Sequence, residues 1–206
     1  MIVRLEQISR LPSRNHEIRQ ADSSLIGTGT VPDLFNGLMK IGRDTYAAIT
    51  NNVARTELYQ NESAIGWISQ TVEVTKKILF LPIGFEYYIY NVLGKELRVY
   101  ESGLGQDMHF FSVYENGVVV GVIHKDDLVK NYKNTYTLYA EADEMLLPLC
   151  LFTMFLESTA FCDRTGGLGN VTDNTPFYTA QKELQLKYDP NFIPHIIALE
   201  ASRNPQ

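Results

Sequence analysis

From Asp143 to Glu157 the chain is apolar at almost every position. Wound at about 100° per residue, Leu147, Leu151 and Met154 fall on one side of a helix, and Met145, Leu149, Phe152 and Leu156 fall on the other. Phe155 completes the set. A surface helix carries one apolar stripe, whereas a helix apolar all round is enclosed by protein or by lipid. A bilayer span needs about 20 apolar residues. This run is shorter, contains Pro148, and is bounded by Asp143, Glu144 and Glu157, so it reads as an enclosed core helix over residues 143–160. Pro148 has no N–H, which predicts an irregular or kinked first turn.

Upstream the spacing changes from helical to alternating. Residues 17–27, 57–68, 87–100 and 110–123 each read as strand, polar turn, strand. The last copy holds Asn116–Gly117, a two-residue hairpin signal because both positions accept positive φ. Gly66 and Gly121 sit at matching places after their turns, where a strand glycine marks a bulge or a close backbone approach. Residues 44–49, 78–83 and 135–140 read as further strands. Residues 1–15 read as a lead-in, with a strand at 1–5 and a turn at 11–15. Many short hairpin-linked strands ahead of one two-sided apolar helix predict a mainly β (α+β) fold. Its form is a closed antiparallel β-barrel around the helix, which removes exposed strand edges and gives the helix walls to pack against.

Beyond the helix, residues 164–170 are glycine-rich, and Thr175–Pro176 can open a helix over 177–187 that Pro190 ends. Residues 194–201 read as one more short helix. The chain thus divides into a barrel with its helix at 1–162 and a linker with a helical extension at 163–206, which leans on the barrel, on a partner, or on both.

A net charge of −6 argues against a general nucleic-acid-binding face. The two cysteines, Cys150 and Cys162, offer neither a disulfide framework nor a zinc spacing. Without an apolar leader at its start, the sequence defaults to a cytoplasmic protein. Candidate chemistry is sparse. His124, Asp126 and Asp127 are ligand-type residues confined to one strand end, and a solvated turn explains them better. Cys162 has no spacing that brings it to His109, His124 or His195. The glycines at 166–169 lack the Lys–Ser/Thr of a phosphate loop. No cofactor or metal is implied. The basic groupings are Lys76 with Lys77, and Lys125, Lys130 and Lys133; beside an anionic membrane each lysine would add about 1 kcal/mol.

Strand pairs of the form Tyr-x-Tyr-x-x-x-Gly, followed by an acid-bounded apolar helix, resemble the tubby C-terminal-like superfamily, which includes the plant LURP-one-related proteins and the phospholipid scramblases. The resemblance covers residues 16–162 and implies a closed barrel of about twelve strands, threaded by residues 143–155. It also implies membrane-lipid or protein partners for the outer surface. It assigns no functional residues, because neither a phosphoinositide site nor a calcium-binding segment is matched.

A barrel plugged by its own helix has no interior cavity for a substrate. The expected function is therefore a non-enzymatic binding or scaffold module, acting on a protein partner through its outer wall and C-terminal tail. The alternatives are peripheral binding of phospholipid or phosphoinositide through the lysines, and an enzyme assembled from dispersed residues such as His109, His124 and Asp126. The helix is not expected to span a membrane, and oligomeric state is left open.

Overall fold

A computed structural model describes residues 1–9, 13–52, 55–78, 81–105, 108–126, 133–160 and 177–203. Twelve strands follow one another round a barrel: β1 (Ile2–Ser9), β2 (Arg14–Gln20), β3 (Leu25–Asp33), β4 (Asn36–Ile41), β5 (Asp44–Asn52), β6 (Arg55–Gln60), β7 (Ser63–Ile78), β8 (Leu81–Val92), β9 (Lys95–Gly105), β10 (His109–Glu115), β11 (Val118–Lys125) and β12 (Thr135–Ala140). Each pairs antiparallel with the next, and β12 returns to β1 with Tyr139 opposite Ile2 and Tyr136 opposite Leu5. The ring is closed, as the two-sided apolar helix predicts. β1 is therefore part of the wall rather than a lead-in, because its partner strand lies far along the chain and no local pattern announces it.

The expected repeat is real and has a geometric meaning. Register slips by one residue at Ile65, just before Gly66, and at Val120, just before Gly121. These are β-bulges, which bend a strand and sharpen its twist. At Gly66 a Cβ would stand 1.9 Å from the Asn91 carbonyl oxygen, so only glycine lets the neighbouring strand pass. Asn116 (φ 51°) and Gly117 (φ 82°) form the anticipated hairpin turn. The turns at Asn61–Glu62 and Leu93–Gly94 carry the same pair of positive φ values.

The apolar run enters through a 3-10 turn at Asp143–Met145 and continues as α1 (Leu146–Ser158). This is the irregular start expected ahead of Pro148, whose carbonyl accepts a hydrogen bond from the Tyr90 hydroxyl at 3.0 Å. Every residue from Pro148 to Ser158 is buried, and Met145 with them; Leu147 is only half-buried. The helix is enclosed, but it sits off-centre. It packs against β3–β5 on one side and β11–β12 on another. The remaining width is filled by aromatic rings around Phe152: Tyr88 at 5.3 Å, Phe155 at 5.4 Å, Tyr90 at 5.5 Å and Phe111 at 6.3 Å between centroids.

Two expected elements differ. Residues 78–83 are not one strand: β7 ends at Ile78 and β8 begins at Leu81, so this apolar stretch spans the end of the longest hairpin. An unbroken apolar run carries no alternation from which a turn is read. Residues 177–187 are not one helix. Phe177–Tyr178 form a short strand, β13, and only Lys182–Gln185 are helical, as α2. Tertiary pairing overrides local preference here. β8 and β9 part beyond the Tyr88–Val99 pair, which leaves the end of β9 with an open edge. β13 takes that edge, with Phe177 opposite Gly105. The Thr179 N–H then donates to the Gly103 carbonyl at 2.8 Å, and the Gly103 N–H donates to Thr179 Oγ1 at 2.7 Å. On the other lip, Gln181 Nε2 donates to the Gly84 carbonyl of β8 at 2.6 Å. Leu184 packs between Phe85 and Tyr100. The helix expected at 194–201 is present within α3 (Phe192–Arg203), whose Phe192 and Ile196 cover Phe110 and Val122 on the outer wall. The extension thus leans on the barrel and fills a seam in it. The glycine-rich residues 164–170 lie outside the described residues.

Candidate functional site

A groove of about 570 Å³ lies on the outer wall of β3–β6. Beneath it the wall packs closely on the helix. Gly37 on β4 lies so close to α1 that a Cβ there would stand 2.8 Å from the Met154 carbonyl oxygen. The wall is drawn onto the helix at this point. Outward-facing positions of four neighbouring strands then line the groove: Thr28, Thr30, Leu38, Lys40, Thr45, Ala47, Ile49 and Tyr59, with Glu62 in the adjoining turn. Most of the lining is apolar. Lys40, Thr45 and Glu62 gather at the end beside the hairpin turns, while Leu38 and Ile49 lie towards the other end. Beyond Leu38, itself 43% exposed, Leu34 and Phe35 are also exposed in the β3–β4 turn.

A second polar feature lies inside the barrel, where α1 ends. Glu157 is fully buried. Its Oε1 accepts from the Tyr136 hydroxyl at 2.5 Å and from Asn134 Nδ2 at 2.7 Å, and its Oε2 lies 3.1 Å from His16 Nε2. A buried acid at a helix C-terminus faces the negative end of the helix dipole, so these partners are what hold it there. His16 Nδ1 is buried with no hydrogen-bond partner among the described residues. The cluster ties the end of the helix to β2 and β12, and this arrangement fits anchoring. Near the same rim the plug is not flush. A pocket of about 220 Å³ opens between the last turn of α1 and β5–β8, contrary to a wholly filled interior.

Burial also shifts acidic groups in the core. The Cys150 thiol is pushed up to about 12 by desolvation. The Tyr90 hydroxyl is held well above its ordinary value by burial, and so is that of Tyr136, by burial first and then by Glu157. Folded values above unfolded ones contribute stability that is complete below the unfolded values, 9.0 for Cys and 10.0 for Tyr, and lost as pH rises past them. The urea midpoint is therefore expected to fall above about pH 9, and Tyr136→Phe to make that fall shallower. Urea titrations at a series of pH values check both.

Lys76, Lys125 and Lys133 do not share a face. Lys76 is exposed at the end of β7, where it lines a pocket of about 220 Å³ with Lys182 and Glu183, and Lys77 follows it on the same strand. Lys125 lies on β11, four strands away, and points inward opposite His109 and Tyr136, 6% exposed. Lys133 Nζ donates to the Ile8 carbonyl at 2.7 Å. Lys130 lies outside the described residues. Strand alternation explains the dispersal: neighbours in sequence or register need not lie on one side of a sheet.

The histidines are separated in the same way. His109 faces inward, with Nε2 2.7 Å from Glu101 Oε1. His124 is opposite Phe110, faces outward, and stacks on that ring at 4.8 Å. His195 is exposed on α3. Cys162 and Asp127 lie outside the described residues. Among the described residues no group of three or more His, Cys, Asp or Glu is placed to hold a metal ion, and no helix is long and apolar enough to cross a membrane.

Neither the groove nor the Glu157 cluster is marked in the sequence. Threonine and alanine on an outer face look like ordinary strand surface, and Glu157 looks like the solvated end of an apolar run. Comparison of the chain with protein-family models, with curated proteins and with solved structures finds no match in any of the three.

Proposed function

We propose that the protein is a non-enzymatic binding module of the tubby-like kind, and that its outer-wall groove receives apolar side chains of a protein partner. The groove itself carries the reading. An apolar floor with a polar rim is the composition of a protein interface core. The ring formed by Tyr59 suits an anchor residue, since aromatic side chains dominate such contacts. α1 fills most of the space that a barrel enzyme or carrier would use. A protein is favoured over a lipid headgroup for two reasons. The charged end of the groove offers both Lys40 and Glu62, so an anion meets repulsion beside attraction. The chain as a whole is also acidic. The closed barrel threaded by a helix supports the tubby-like assignment, because it is the architecture that resemblance implies.

A photo-crosslinking amino acid at Leu38 is expected to give a discrete protein adduct in an extract of the source cells. Ala47→Trp, which fills the groove from its floor, is expected to abolish the adduct without changing the melting temperature. An adduct indifferent to Ala47→Trp would overturn the proposal. So would flotation with phosphatidylserine vesicles that the same substitution abolishes.

A further inference from the structure

We infer that the free edge of β7 is a self-association surface, on which a second copy of this chain pairs antiparallel through its own β7 about a two-fold axis at Val74. The surface is separate from the outer groove. β7 runs for 16 residues beside a β6 of only 6. Pairing with β6 ends at Thr56–Ile68, whereas pairing with β8 continues to Ile78–Leu81. From Ser69 to Ile78, β7 therefore has one strand neighbour instead of two among the described residues. An edge of that length, ~30 Å, is a template for another strand. Its two faces differ. Glu73 stands opposite Phe85, on the face that Leu184 covers. Val72 and Val74 continue the face of Ile68, which turns into the lumen and is 1% exposed. Beyond the barrel the two valines are bare, at 56% and 51% exposed.

The chemistry of this edge fits a copy of itself. Thr75 is the extra residue of a β-bulge, since Val74 pairs with Gly84 and Lys76 with the next residue back, Ile83. Alternation skips one position there, so Lys76 comes to lie on the same face as Glu73. Lys76 shares that face with Lys182 and Glu183 of the strap, and neither Glu73 nor Lys76 forms an ion pair among the described residues. With the bulge counted out, a two-fold at Val74 sets the Val74 side chains of the two copies beside each other. It also sets Glu73 of each copy opposite Lys76 of the other. Symmetry thus gives two cross-strand ion pairs on one face and a valine contact on the other. A two-fold at Glu73 would set acid against acid, which is unfavourable. In the Val74 register Ile78 falls opposite Thr71, so the tip of each hairpin ends short of the other copy's β6. The barrels stand at opposite ends of a shared β8–β7–β7–β8 ribbon, each ~20 Å from the axis. A bulge and a lysine deter indiscriminate pairing at an edge. A strand that satisfies both needs the same bulge and the same spacing of acid and lysine, and a second copy supplies them.

The contact is one strand wide on each side, smaller than the ~1,600 Å² of a standard interface, so the dimer is expected to be weak, with a Kd of about 10–100 µM. Sedimentation equilibrium of the full chain from about 1 to 500 µM measures it. Glu73→Lys and Lys76→Glu are each expected to raise the Kd about tenfold or more, because each variant sets two like-charge pairs across the axis. Combined in one chain, the two reversals are expected to bring the Kd back to within about threefold of wild type. Glu73 is half-buried and Lys76 exposed, so the melting temperatures of all three variants should stay near wild type. The register is tested by oxidative cross-linking. Val74→Cys is expected to form a disulfide-linked dimer, while Val118→Cys, 62% exposed beside the turn at the opposite end of the barrel, is expected to give no more than the wild-type background. The inference is overturned if the wild-type chain stays monomeric to about 500 µM, if the double reversal dimerises no better than the single ones, or if Val74→Cys cross-links no better than Val118→Cys.

Discussion

Leu149→Asp is expected to abolish the cooperative melting transition. Leu149 is 1% exposed and lies one turn into α1, with Cδ2 2.9 Å from where a Cβ on Gly121 would stand. There is no room for water beside it. Removing the leucine side chain costs about 2–5 kcal/mol. Placing a carboxylate there without a partner costs several more, in a molecule whose whole stability is on the order of 5–15 kcal/mol. Leu147→Asp, at the half-buried position two residues earlier, is the control and should retain a folded core. Far-ultraviolet circular dichroism distinguishes them. A native transition in Leu149→Asp would mean that the helix is not enclosed.

Glu157→Ala has the second-largest expected effect. It removes the acceptor shared by Tyr136, Asn134 and His16 and leaves the buried polar atoms of Tyr136 and His16 without it. Removing one member of a buried polar cluster costs about 3–5 kcal/mol. For a chain of this size that corresponds to a fall in Tm of about 6–20 °C. Glu157→Gln keeps an acceptor and a donor at nearly the same positions, so its loss should be less than half as large. Calorimetry on the three proteins measures both differences. Equal losses for alanine and glutamine would show that charge, rather than hydrogen bonding, holds the end of the helix.

Most of the architecture is legible in the sequence because its signals are local. The all-round apolar character of residues 145–156 calls for an enclosure, and the turn–glycine repeat at Gly66 and Gly121 encodes bulges that curve the wall. What is not legible depends on partners distant in the chain. β1 looks like a lead-in because its partner is β12. Residues 177–178 look helical because the open edge of β9 that captures them lies some seventy positions earlier. The same limit applies to the sites. Alternation shows which residues of β3–β6 face outward, but not that they line a groove. Glu157 reads as a boundary because residues 16, 134 and 136 give no sign that they converge on it. Lys76, Lys125 and Lys133 belong to basic groupings along the chain and scatter in space.

The seam between β8 and β9 bears on how the protein is made. On the ribosome the chain emerges from its N-terminus at about 5–20 residues per second. The Met1 amino group ends up bonded to the Ala140 carbonyl, 139 positions away, so the ring cannot shut until residue 140 has been synthesised. α1 follows, and Thr179–Leu184, which fill the last gap, come later still. Until then the nascent protein is an open trough with two bare edges and an empty apolar lumen. Such a species is slow to fold because its contacts are non-local, and it is a natural client for chaperones.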